Sequence, residues 1–182
     1  ESNQTLQYVL HASLAKLWQA WELQPDAALG FGVGQYAAAC VAGCLCFLDA
    51  LVLVYQRECL LGNLGSDPDW NAFEGLADQF NFYPPNLPLV CSVSGEVVPV
   101  HRSLGGSYWR EHANSEIQLE QSVQALSSLG CGIGLTMGRI APNSPLPSMF
   151  ETTTLELMHS VSCSADSSKV SVMSALGGLY QR

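Results

Sequence analysis

Ala27-Ala28-Leu29-Gly30-Phe31-Gly32-Val33-Gly34-Gln35-Tyr36-Ala37-Ala38-Ala39-Cys40-Val41-Ala42-Gly43 is the most informative stretch of this chain. Ala27 to Phe31 is a short apolar run, the pattern of a strand buried on both faces in a parallel sheet. Glycines at 30, 32 and 34 demand a sharp turn. Tyr36 to Cys44 is small and apolar, which predicts a helix packed tightly on that sheet. Strand, glycine turn and helix in this order make the geometry of a nucleophile elbow, whose pattern is G-x-S-x-G. Here its third position is Gly32, which carries no atom able to attack. A phosphate cradle is the other use of such glycines, but the spacing is G-x-G-x-G rather than G-x-G-x-x-G.

Working outward, Leu6, Val9, Leu10, Leu14, Leu17, Trp18 and Trp21 recur at helical spacing. Gln24-Pro25-Asp26 closes that helix. Leu48 to Leu61 reads as a second buried helix, and Asp69 to Phe80 as another. Leu89 to Val93 reads as a strand, followed by a turn at Ser94-Gly95-Glu96. Tyr108 to Leu129 holds one or two helices, and Gly132 to Met137 a strand. Ala141 to Ser148 is loop-like, Thr154 to Val161 is a last strand, and Val170 to Tyr180 a closing helix. Strands alternating with helices predict an α/β fold with a mainly parallel sheet.

The 182 residues suit one domain with a sizeable core. The chain is 48% hydrophobic and only 13% charged, with a formal net charge of −9. Seven Lys and Arg, scattered along the chain, form no basic stripe for a phosphate backbone or an anionic membrane. Ala27 to Leu48 is uncharged, but Gly30, Gly32, Gly34, Gly43 and Gln35 interrupt it, so a membrane span is not expected. Seven cysteines, mostly within apolar runs, suit a reducing cytoplasm. No metal site or cofactor is expected. Cys40 and Cys44 lie one helical turn apart, but no nearby His or Asp completes a shell.

The surroundings of the glycine turn resemble the acyltransferase domain of modular polyketide synthases, the family that also loads malonyl units in fatty acid synthesis. Leu14-Ala15-Lys16-Leu17-Trp18-Gln19-Ala20-Trp21 and Gln24-Pro25-Asp26-Ala27 precede a turn that in the family reads G-H-S-x-G-E, then Y-x-A-A-x-x-A-G. Leu87-Pro88-Leu89-Val90-Cys91-Ser92-Val93-Ser94-Gly95 is similar to its P-L-V-S-N-V-T-G. Tyr108-Trp109-Arg110-Glu111-His112 is similar to its Y-W-x-x-H, and Leu176 to Arg182 to its final helix. The resemblance implies the large, α/β-hydrolase-like subdomain of the acyltransferase fold: a mainly parallel sheet flanked by helices.

Departures from the family carry the functional expectation. Phe31, Gly32 and Gln35 stand where it has His, Ser and Glu. Its ferredoxin-like small subdomain, expected after the helix ending near Leu61, is replaced by a junction near 62–68, and no histidine stands there for its catalytic base. His11, His101, His112 and His159 all lie elsewhere. Thr136-Met137-Gly138-Arg139 replaces its E-V-G-P. Arg57 occupies the relic position for the substrate carboxylate, but Glu58 follows it and would set a negative charge beside that carboxylate. A plainer reading makes Arg57 a helix arginine paired with a nearby acid, and His112 a packing and hydrogen-bonding residue. Ser92 and Ser94 are expected to have no histidine partner.

Residues 1–182 therefore read as a single truncated acyltransferase-like domain, excised from a multidomain synthase, without catalytic residues. Gly30, Phe31, Gly32, Val33, Gly34 and Gln35 form its degenerate elbow. The resemblance implies a docking or scaffold role beside a flanking ketosynthase and linker, toward a free-standing acyltransferase or acyl carrier protein. Two alternatives stand beside it: a purely structural spacer next to a ketosynthase, and an acyltransferase or hydrolase of atypical chemistry.

Overall fold

A computed structural model describes residues 3–62, 67–138, 145–151, 153 and 155–159. The predicted helix over 170–180 and the segment 176–182 lie outside these residues. The first element is α1 (Gln4–Ala20), capped by the Asn3 side chain, which accepts from Leu6 N–H at 2.7 Å. Its buried face is rotated from the expected one. Tyr8, Ala12, Leu14, Ala15 and Trp18 are buried, while Leu6 is 65% exposed and Leu10 and Leu17 are also exposed. The reason is its neighbour, the helix after the glycine turn, whose buried face is Tyr36-Ala37-Ala38-Ala39. Two alanine-lined faces approach more closely than leucines would allow, so the smaller residues of α1 turn inward.

Strand β1 (Ala28–Leu29) leads through the turn into α2 (Gly34–Val41). Gly43 (φ +77°) ends α2, with Cys44 N–H bonded to Ala39 O at 2.8 Å and Gly43 N–H to Cys40 O at 3.1 Å. This is a Schellman closure, with glycine at the left-handed position. Helix α3 (Phe47–Gly62) begins four residues later, and α4 (Trp70–Ala77) follows the junction, capped by Asp69. Seven residues, 63–69, join α3 to α4, too few for a subdomain; 63–66 lie outside the described residues.

Then come β2 (Leu89–Cys91), β3 (Glu96–Val97), α5 (Gly106–Asn114), α6 (Leu119–Ser128), β4 (Ile133–Thr136), α7 (Leu146–Glu151) and β5 (Glu156–His159). Strands β1 and β2 pair in parallel, Ala28 with Leu89 and Leu29 with Val90. Strand β3 adds antiparallel to β2 around Gly95 (φ +72°), a hairpin where the sequence reading had only a turn. Strands β4 and β5 pair in parallel from Ile133–Glu156 to Thr136–His159. The expected mainly parallel sheet is thus two small sheets, one of them mixed. Helix α7 starts inside the stretch 141–148 read as loop, because Phe150 and Leu155 pack with Val123 in a second cluster. The main core gathers Tyr8, Tyr36, Leu53, Phe73, Leu89 and Trp109.

Candidate functional site

The glycine turn sits where β1 hands the chain to α2. Gly30 and Gly32 play different parts in it. A Cβ on Gly30 would lie 2.1 Å from the carbonyl carbon and oxygen of Gly34 and 2.3 Å from Gln35 N. These are backbone atoms that cannot swing aside, so strand and helix meet at Gly30 because it lacks a side chain. Gly32 has φ +55°, and a Cβ there would meet nothing within 4 Å. The elbow therefore keeps its left-handed third residue and the open space above it, without a functional group. The turn closes through Gly34 N–H to Phe31 O at 2.9 Å and Gln35 N–H to Gly32 O at 3.2 Å.

Gln35 is fully buried and bonded at both ends of its amide. Its oxygen accepts from Gly30 N–H at 3.2 Å. Its nitrogen donates to Val90 O at 3.1 Å and to the Tyr108 hydroxyl at 2.9 Å. One side chain thus ties the turn, the neighbouring strand β2 and helix α5 together. A carboxylate could not donate to the Val90 carbonyl, which explains why an amide rather than an acid suits this position.

Beneath α2, the Tyr36 ring stacks on Trp109 at 4.2 Å between centroids. His112 is boxed by Tyr36, Tyr108 and Trp109. Its Nε2 lies 3.4 Å from Ser92 Oγ, so Ser92 does have a histidine partner, contrary to the sequence expectation. The helix period of α5 brings Trp109 and His112 to one face over β2, a juxtaposition across the chain that spacing alone could not reveal. Ser92 is fully buried, and among the described residues no acid holds His112 Nδ1, which is buried without a partner there. Burial, aided by the Arg57 charge, lowers the His112 pKa to about 4. A base that weak, facing an inaccessible hydroxyl, suits packing rather than nucleophile activation.

This burial makes the domain acid-sensitive. Above pH 6.5, the ordinary histidine value, His112 is neutral whether folded or unfolded. As the pH falls toward about 4, the unfolded chain takes up a proton that the folded one refuses. Stability should fall across that window by up to roughly 3 kcal/mol from this group. Urea unfolding at steps between the two limits should show a shallower dependence in His112→Phe than in the parent chain.

Arg57 donates through Nη1 to the side-chain oxygen of Gln4, while its buried Nε has no partner among the described residues. Its partner is thus an amide on α1, not the acid expected from sequence. Glu58 turns the same way. It accepts from Gln4 N–H and Thr5 N–H, each at 3.1 Å, and from the Thr5 hydroxyl, and these bonds lower its pKa. It caps the N-terminus of α1, where a negative charge is favourable, instead of crowding a carboxylate beside Arg57.

His11 reaches the elbow's far side. Its ring lies against Gly34, and a Cβ on Gly138 would come within 2.3 Å of its Nε2. Burial lowers its pKa. His101 is exposed; His159 ends β5. An open groove of about 590 Å³ runs between Trp70, Asn71, Arg110 and Glu111, and a pocket of about 300 Å³ lies between α1 and α2. Neither includes an elbow residue. Among the described residues no three His, Cys, Asp or Glu side chains cluster to hold a metal, and no helix is long and apolar enough to cross a membrane.

Comparison with known proteins gives this geometry a relationship. The acyltransferase domain from the second module of the salinomycin polyketide synthase superimposes with a TM-score of 0.83 at 20% identity, over 98% of this chain and 60% of that one. In sequence, the mycoketide-CoA synthase of Mycobacterium tuberculosis is 26% identical over 90% of this chain and 4% of its own length. The non-reducing polyketide synthase aoiG of Aspergillus oryzae is 21% identical over 79% of this chain and 10% of its own. The chain thus spans a tenth or less of these curated relatives. No family model matches it. In fold the chain matches the acyltransferase domain over the part that forms its large subdomain, and in sequence it is similar to polyketide synthases.

Proposed function

We propose that this domain is a non-catalytic remnant of a polyketide synthase acyltransferase, acting as a docking or scaffold element. Its partners on this reading are a flanking ketosynthase and linker, a free-standing acyltransferase, or an acyl carrier protein. The observation that carries the reading is Gly32: the elbow's third residue has left-handed backbone and open space but no nucleophile. Support comes from the neighbours, each engaged in holding the fold. Gln35 bonds to backbone and Tyr108, Glu58 caps α1, and Ser92 and His112 are buried against each other. Losing nucleophile and base together costs on the order of 10⁶-fold in rate, which leaves a surface as the retained asset.

Malonyl-CoA incubated with the protein should give neither an acyl-protein mass nor release of CoA above a no-protein control. Either one would overturn the reading. Immobilised protein should retain a ketosynthase, a free-standing acyltransferase or an acyl carrier protein added in trans. Retention of none would remove docking and leave the spacer. Restoring the hydroxyl alone should not restore chemistry. Gly32→Ser meets no steric obstacle, should cost about 1 kcal/mol for its left-handed backbone, and should still take no malonyl group.

A further inference from the structure

Helices α2 and α3 meet at a tight corner built by the Schellman closure at Gly43. Cys40 lies in the last turn of α2, and Cys46 immediately precedes α3. The corner folds them onto each other. The Cys40 thiol donates to the carbonyl oxygen of Cys46 at 3.7 Å, and Cys40 Sγ also lies 3.4 Å from the Tyr8 hydroxyl. That hydroxyl donates to Phe47 O at 2.9 Å, which holds Tyr8 across the corner. Cys46 Sγ accepts from Asp49 N–H at 3.4 Å, acting as the cap of α3. Both cysteines line the 300 Å³ pocket, with Ala12, Ala37 and Phe47 on its walls and Lys16 beside them. Cys46 is exposed and Cys40 partly so.

We propose that Cys40 and Cys46 form a thiol pair that a small disulfide oxidant of the glutathione type converts reversibly into an intramolecular cross-link. The Cys46 thiolate attacks one sulfur of the oxidant; that S–S bond breaks, one thiolate leaves, and a mixed disulfide forms. Cys40 then gives its proton to solvent and attacks the Cys46 sulfur, expelling the second thiolate. The protein loses two protons and two electrons, and the oxidant becomes two thiols. Cys46 attacks first because it is exposed to the oxidant, whereas Cys40 is partly buried. Cys40 follows because burial pushes its thiol up to about 11. The product ties the last turn of α2 to the first residue before α3 and closes the pocket between them. The other exposed thiol among the described residues, Cys59, sits near the far end of α3, away from this corner. It should stop at the mixed disulfide.

The test uses the full chain, reduced and then incubated with oxidised glutathione. Free thiols are blocked with one maleimide, disulfides are reduced, and the new thiols are labelled with a second. The expected result is a corner peptide lighter by two hydrogens than its reduced form, with the second label on Cys40 and Cys46, a further second label on Cys59 from its mixed disulfide, and full reversal by dithiothreitol. Cys46→Ser keeps a capping oxygen for Asp49 N–H and should abolish the cross-link. Cys59→Ser should leave it intact. Glutathione persisting on Cys46 without a cross-link, pairing of Cys40 with Cys44, or no oxidation of either residue would each overturn the proposal. The outcome is independent of whether the domain docks to a synthase partner.

Discussion

Gln35→Glu is expected to destabilise the domain by about 3 kcal/mol at pH 8, measured as a shift in urea unfolding. The substitution changes one nitrogen for one oxygen and leaves the shape almost intact, so the loss is electrostatic. The carboxylate could still accept from Gly30 N–H, but it would face the Val90 carbonyl with no hydrogen to share. A buried, uncompensated charge costs about 3–5 kcal/mol. Protonation is the escape. The folded state would hold this carboxyl's pKa above its unfolded value, so the penalty should shrink as the pH falls toward 5 and the acid becomes a donor. A variant as stable as the parent at pH 8, or equally damaged at both pH values, would show that Gln35 does not bridge turn, strand and helix as described. This acid-favouring trend runs opposite to that of His112, and the two can be separated in the double variant with His112→Phe.

Gly30→Ala should be at least as damaging, at about 3 kcal/mol or more, with much of the protein recovered as insoluble material. The added methyl would lie 2.1 Å from the Gly34 carbonyl group. To relieve that overlap, β1 and α2 must separate, and with them the Gln35 bonds and the Tyr36–Trp109 stack. Gly32→Ala provides the control. It adds the same methyl two residues on, into open space, and should cost only about 1 kcal/mol for its backbone. Equal effects at the two positions would mean that the turn is loose rather than packed.

Much of the architecture was legible in the sequence. The apolar run, the glycines and the alanine-rich segment between Ala27 and Gly43 announce strand, turn and helix because each depends on residues close in the chain. The missing group at Gly32 is legible for the same reason. The face that α1 buries was not. Its leucines have the right spacing, yet the alanines turn inward, because the partner helix is itself lined with alanine. The hairpin strand β3 and helix α7 were also missed, since both are short and owe their form to packing rather than to local preference.

The sequence by itself determined that glycine, not serine, stands at the third position of the turn and that only a short junction near 62–68 separates the helix ending near Leu61 from the next one. Both are matters of which atoms the chain contains. Only the tertiary structure decided what the surrounding polar residues do. Gln35 might have pointed to solvent, Glu58 toward Arg57, and Ser92 away from any base. Folding instead sets Gln35 between β2 and α5, Glu58 on the first turn of α1, and Ser92 beside His112. Most buried polar groups find a partner wherever the fold places one. For these residues the partners lie between 5 and 73 positions away along the chain.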